Sequence, residues 1–138
     1  MHKRYLENQV LAADPLGLVR LLYAGAVDAI RQAREHLHAG NVPERSNAVS
    51  KAMQIVAELQ GSLDEERGGE VAHGLAQLYT YIQEQLIEAN AGQKAPPLEN
   101  ALRILLILDE GWKEIALEPL GEAPVAEPVE AGSLAWTL

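Results

Sequence analysis

Apolar residues along this chain recur at the spacing of a helix, in four long segments. Leu16, Val19, Tyr23, Ala26, Ile30, Ala33 and Leu37 follow one another at intervals of three and four residues. Such a pattern forms one stripe on a helix of 3.6 residues per turn. It predicts a first helix over 15–38. Asp14 is suited to cap it, and Pro15 to its first position, where the missing N–H has no partner to lose. Gly40-Asn41 supplies the stop. Val49, Ala52, Val56, Leu59 and Leu63 give a second helix over 43–63, opened by Pro43 and Glu44. Val71, Leu75, Leu78, Ile82, Leu86 and Ala89 give a third over 70–91, after the break at Gly68-Gly69. Leu98, Ala101, Leu105, Leu108, Trp112 and Ile115 give a fourth over 97–117.

No segment alternates with period two, so no sheet is expected. Links of about four to eight residues force neighbouring helices antiparallel. The predicted fold is therefore all-α: an antiparallel up-down four-helix bundle with near-heptad stripes. Three parts are expected: an N-terminal strap over 1–14, the bundle over 15–118 and an acidic, Pro-rich tail over 119–138. Gly121 to Glu130 is rich in Pro, Glu and Ala and reads as disordered. In the strap, Tyr5, Leu6, Val10 and Leu11 are apolar but lack helix caps, so they either fray or pack back onto the bundle.

Composition narrows the chemistry. The chain has 138 residues, no Cys and no Phe, so the core must be built from Leu, Ala, Val and Ile. Lacking Cys, it has no disulfide, thiolate metal site or cysteine nucleophile. Eleven Lys and Arg face 20 Asp and Glu, a net charge of −9. That balance opposes binding to a nucleic-acid backbone. The N-terminal residues lack the apolar stretch of a signal peptide, and no apolar run is long enough to span a membrane. A cytosolic protein is the expectation.

Two Glu-x-x-His spacings, Glu35/His38 and Glu70/His73, match half of a carboxylate-bridged dimetal bundle. Their placement argues against it. His38 ends one predicted helix, Glu70 starts another, and both suit the helix dipole there. No phosphate-binding loop is present, and no Ser has a helix-spaced His to act as its base. No catalytic residue and no metal or cofactor are assigned. The more informative feature is excess apolar surface. Ile104-Leu105-Leu106-Ile107-Leu108 covers more than a full turn and cannot all face one core. Leu18, Leu21 and Leu22 flank the first stripe in the same way. Contiguous exposed apolar surface marks a partner site, and a groove between helices suits a helical partner.

The order of residues also resembles a known family. Tyr5-Leu6-Glu7-Asn8-Gln9-Val10, Ala13-Asp14-Pro15 and Leu18-Val19-Arg20-Leu21-Leu22-Tyr23-Ala24-Gly25-Ala26 resemble the start of the FliS family of flagellar secretion chaperones. Ser62-Leu63-Asp64, Gly68-Gly69-Glu70, Leu78-Tyr79, Tyr81, Ala89-Asn90 and Gly111-Trp112-Lys113-Glu114 continue the resemblance to about residue 116. Gly17 departs from the Glu usual there, which removes a capping box.

The resemblance implies a cytoplasmic bundle that performs no reaction. It binds the C-terminal segment of flagellin and prevents premature polymerisation before export. It also implies that Tyr5 to Val10 straps over part of the client site. Partner-binding residues on this reading are Tyr5, Leu6, Val10, Leu18, Leu22, Tyr23, Ile55, Leu78, Tyr81, Leu105, Ile107 and Trp112. The export apparatus and a second copy of the chain are further candidate partners; nucleic acid and membrane insertion are not. The alternatives are the dimetal enzyme, or an adaptor bundle for another secretion substrate.

Overall fold

In the computed structural model of the chain, residues 15–117 are described, and within them four α-helices follow one another: α1 Pro15–Ala39, α2 Val42–Gly61, α3 Glu65–Gly92 and α4 Ala95–Leu117. The strap, the tail and the Asp14 cap lie outside the described residues. The links are two or three residues long, shorter than the sequence suggested, so each helix reverses on its predecessor. Each helix packs on its chain neighbours and α4 closes back on α1, leaving α1 and α3 diagonal across the bundle.

Local chemistry accounts for these boundaries. Gly40 takes φ 76°, the left-handed conformation that ends helices. There the Asn41 N–H donates to the His36 carbonyl at 2.9 Å and the Gly40 N–H to Leu37 at 3.3 Å, a Schellman arrangement. Pro43 sits in the first turn of α2, where no N–H is needed. Asp64 caps α3 by accepting from the Arg67 N–H at 3.0 Å. One turn later the chain kinks at Gly69 (φ 57°, ψ −132°). The expected break is thus real, but a short helical turn precedes it. Gln93, at φ 53°, ends α3 in the left-handed region.

The core runs along the bundle axis. Val19, Tyr23, Ile30, Val56, Leu59, Tyr79, Ile82, Leu86 and Leu105 are fully or almost fully buried. Burial of a side chain of this size contributes about 1.5–3 kcal/mol. Two residues assigned to core stripes from the sequence are not there. Val71 is 48% and Leu78 37% exposed, while Ala72 and Tyr79 take the interior positions of α3.

At the ends of α2 and α3, the buried Arg45 guanidinium donates from Nε to Asn90 Oδ1 at 3.0 Å and from Nη2 to the Asn90 carbonyl at 3.3 Å. The α2/α3 seam is closed by amide side chains. Gln60 Nε2 donates to Thr80 Oγ1 at 3.0 Å and to the Ala76 carbonyl, and Gln83 Nε2 donates to the Met53 carbonyl at 2.8 Å.

Candidate functional site

The α3/α4 seam differs from α2/α3. Asn100 Nδ2 donates to Gln85 Oε1 at 2.9 Å and fixes the register of the two antiparallel helices. Stepping away from that contact by three or four residues in opposite directions brings successive pairs opposite one another. They are Tyr81 with Ile104, Leu78 with Leu108, Gly74 with Gly111 and Val71 with Ile115. Ile104, Leu108 and Ile115 are half-buried against the core. Val71, Leu78 and Tyr81 are exposed.

The glycine pair opens this seam. A Cβ added at Gly74 or at Gly111 would meet nothing within 4 Å. A side chain from another molecule would meet no obstruction at either glycine. Positions one residue before the seam on each helix form its outer rim: Glu70, His73, Gln77 and Thr80 on α3, Arg103, Ile107, Glu110 and Glu114 on α4. Of these, Ile107 is the most exposed large apolar residue described, at 63%.

A second apolar strip lies between α1 and α2. Leu18, Leu22 and Gly25 share one side of α1 by their spacing, and a Cβ at Gly25 would stand 3.2 Å from Ile55 Cδ1. Glycine is what lets the two helices approach here. Leu18, Leu22 and Ile55 are half-buried. A third surface, on the outward side of α4, joins Leu102, Leu106 and Ile107 to Glu99, Arg103 and Glu110.

The sequence-assigned partner residues therefore separate into groups. Leu78 and Tyr81 meet in the α3/α4 seam, with Ile107 on its rim. Leu18, Leu22 and Ile55 lie along α1/α2. Tyr23, Leu105 and Trp112 are placed in the core instead of at a surface, a correction to their assignment. In a chain without Phe, the aromatic rings are the largest volumes available to fill the bundle centre. Tyr5, Leu6 and Val10 lie outside the described residues. Sequence reasoning missed Gly74, Ile104, Gly111 and Ile115 as members of one seam. Their signal is the matched pair of spacings, 71/74/78/81 against 104/108/111/115.

The buried aromatics form a polar cluster in the middle of the core. Tyr23 and Tyr79 join their hydroxyls at 2.5 Å, and Trp112 lies edge-on to Tyr23 with ring centroids 6.5 Å apart. Burial pushes the Tyr23 phenol up to about 12, partly offset by hydrogen bonding from Tyr79 and Trp112, with Asp109 adding to the rise. Burial raises Tyr79 as well, reinforced by its partner Tyr23. Both are held neutral, as a structural pair.

Glu35, His38, Glu70 and His73 are all exposed, pointing away from the interior where a dimetal bundle holds its ions. His73 pairs instead with Glu65 at 3.3 Å, in a shallow depression shared with Ala76, Gln77 and Thr80. Among the described residues no three His, Asp or Glu side chains converge as metal ligands. No helix among them is long and apolar enough to cross a membrane.

Comparison with known proteins covers the whole bundle. The family model for the flagellar protein FliS matches residues 1–119. The flagellar secretion chaperone FliS of Salmonella typhimurium is 37% identical over 112 residues, 80% of this chain and 83% of that protein. FliSB of Pseudomonas aeruginosa, also a flagellar secretion chaperone, is 36% identical over 111 residues, 80% of this chain and 88% of its own. The Vibrio cholerae chaperone FliS is 30% identical over 113 residues, 82% and 83% of the two chains. With similarity of that extent running through all four helices, the chain belongs to the FliS family of flagellar secretion chaperones.

Proposed function

We propose that this protein is a cytosolic export chaperone that binds the C-terminal segment of flagellin and keeps it from polymerising before secretion. The observation that carries this reading is the α3/α4 seam. Val71, Leu78 and Tyr81 are exposed along α3, and the Cβ positions of Gly74 and Gly111 are open, which supports a partner seated there. An amphipathic segment laid there would bury its apolar face by the helix-in-groove mode. Each well-seated apolar anchor contributes about 1.5–3 kcal/mol before ordering costs, so a few suffice for tight binding.

Chaperoning of this kind requires no bond to be made or broken. Masking is enough, because a flagellin segment held in the seam is unavailable to another flagellin. The α1/α2 strip of Leu18, Leu22 and Ile55 extends the surface to a client that wraps around the bundle. Tyr5, Leu6 and Val10 act as a strap over part of it.

The test is calorimetric titration of the full chain with a flagellin C-terminal peptide, compared with Leu78→Glu. Saturable binding that is weakened by Leu78→Glu without loss of helicity supports the seam. Absence of binding to the wild-type chain refutes the client assignment, and equal binding by Leu78→Glu refutes the site.

A further inference from the structure

One apolar cluster of this chain lies outside the described residues. Leu134-Ala135-Trp136-Thr137-Leu138 follows a stretch whose charged residues are the acids Glu118, Glu122, Glu127 and Glu130. The FliS family model stops at residue 119, so this cluster is a feature of this chain and not of the matched family region.

We propose that Leu134–Leu138 is an internal occupant of the α3/α4 seam, with the Trp136 indole seated in the Gly74/Gly111 notch, and that it competes there with the client. The proposal rests on the client reading of that seam given above. Three observations point the segment to this site.

The first is reach. Gly111 lies six residues before the end of α4 at Leu117, about 9 Å along a helix. Residues 118–133 form a link of sixteen residues with a Pro-rich, polar sequence. A flexible chain of that length spans roughly 20–24 Å, enough to return to any level of the seam.

The second is spacing. In an extended segment, residues 134, 136 and 138 project to the same side about 6–7 Å apart. Successive levels of the seam are three or four residues apart, about 5–6 Å along the helices. Trp136 at the glycine level therefore sets Leu134 and Leu138 over the flanking apolar levels, Val71/Ile115 and Leu78/Leu108. The large side chain meets the gap and the smaller ones meet the ridges.

The third is charge. On the rim the exposed carboxylates Glu70, Glu110 and Glu114 outnumber the single Arg103. An acidic occupant would be repelled, whereas Leu134–Leu138 has no charged side chain. The acids of the tail fall in the link and not in the segment that docks.

Tethering gives such a contact a high effective concentration, so even a weak docking site fills. When about nine-tenths of the molecules are docked, the apparent affinity for a competing client falls about tenfold.

The experiment uses the full chain and its Trp136→Ala variant. Their difference fluorescence spectrum isolates Trp136 and leaves the core residue Trp112 in place. A docked indole gives a blue-shifted difference spectrum that is independent of protein concentration. Gly111→Leu fills the notch from an open helical position, and the same difference taken in that background should shift to the red. Circular dichroism of Gly111→Leu verifies that the bundle is intact. A flagellin C-terminal peptide should red-shift Trp136 in the wild-type chain, and Trp136→Ala should bind that peptide about tenfold more tightly.

Emission like that of indole in water overturns the proposal. So does a blue shift that grows with protein concentration, which would mean docking on a neighbour, or one that survives Gly111→Leu. Equal peptide affinity of wild type and Trp136→Ala overturns the competition. A peptide that binds neither chain removes the client reading, while the spectra of the free protein still decide whether the segment docks.

Discussion

The hydroxyls of Tyr23 and Tyr79 meet at 2.5 Å in the centre of the bundle and tie α1 to α3 across its diagonal. Neighbouring helices share long apolar faces, but the two diagonal helices have this polar contact on the axis. Both rings are fully buried, so the hydroxyls need partners in the core, and Tyr23 finds them in Tyr79 and Trp112.

That pair makes stability depend on alkaline pH. The folded protein holds the Tyr23 proton up to about pH 12, whereas an unfolded tyrosine releases it near 10. The folded state therefore binds more protons between these values, and stability falls as pH rises through that window. Tyr23 contributes full stability below pH 10 and loses on the order of 2–3 kcal/mol by pH 12. Urea melts from pH 8 to 11.5 should show this decline, with a shallower slope in the Tyr23→Phe/Tyr79→Phe double variant. Parallel pH profiles for the two proteins would refute it.

Removing both hydroxyls should cost less than the sum of removing each alone. Tyr23→Phe takes a hydrogen-bond partner from the buried Tyr79 hydroxyl, a penalty of about 1–3 kcal/mol. In the double variant the Tyr23–Tyr79 bond is lost only once, so its cost should fall below the sum of the two single losses. A double-mutant cycle by denaturant unfolding measures the coupling; strictly additive losses would contradict it.

Arg45 and Asn90 offer an independent test of the same principle. Asn90→Ala takes the Oδ1 acceptor from a buried guanidinium. The expected loss is about 1–3 kcal/mol, since the buried Nε loses its acceptor while Nη2 keeps the backbone carbonyl of residue 90. Arg45→Met with Asn90→Leu should recover much of it. Thermal melts of the two variants against the wild type decide, and a neutral Asn90→Ala would show that water replaces the lost acceptor.

Two glycines in helical sequence should respond in opposite directions. Gly69 sits at φ 57°, ψ −132°, which a side chain occupies only with strain, so Gly69→Ala should destabilise by about 1–3 kcal/mol. Gly111 lies within α4 with open space at its Cβ, so Gly111→Ala should stabilise by about 0.5–1 kcal/mol. Chemical denaturation of both, side by side, makes the comparison. Equal signs would mean that the Gly69 kink relaxes.

On α4, adjacent positions separate surface from core. Ile107→Glu lies on the seam rim and should leave the melting temperature nearly unchanged while weakening binding of a flagellin C-terminal peptide severalfold. Leu105→Glu buries a charge on the bundle axis and should unfold the protein. Circular dichroism together with peptide titration distinguishes them. Unfolding of Ile107→Glu would remove it from the proposed site.

The division between these two positions illustrates what local sequence determines. Helical periodicity, prolines in the first turns and the stops at Gly40 and Gly69 are properties of a few consecutive residues. They specified four helices and an all-α bundle before any contact was known. The five-residue run from Ile104 to Leu108 had to be partly exposed for the same reason, because a helix turns every 3.6 residues. Depth and pairing are different in kind. Tyr23 and Trp112 went to the axis because a Phe-free core needs their volume, and periodicity gives a face but not how far it is buried. Val71 and Leu78 lie on an apolar stripe, yet they open to solvent because Ala72 and Tyr79 on the next positions claim the interior. The seam itself exists only in the register of α3 against α4, fixed by Gln85 and Asn100. Opposite placement of Gly74 and Gly111, far apart in the chain, is a consequence of that register, and only the tertiary structure could bring them together.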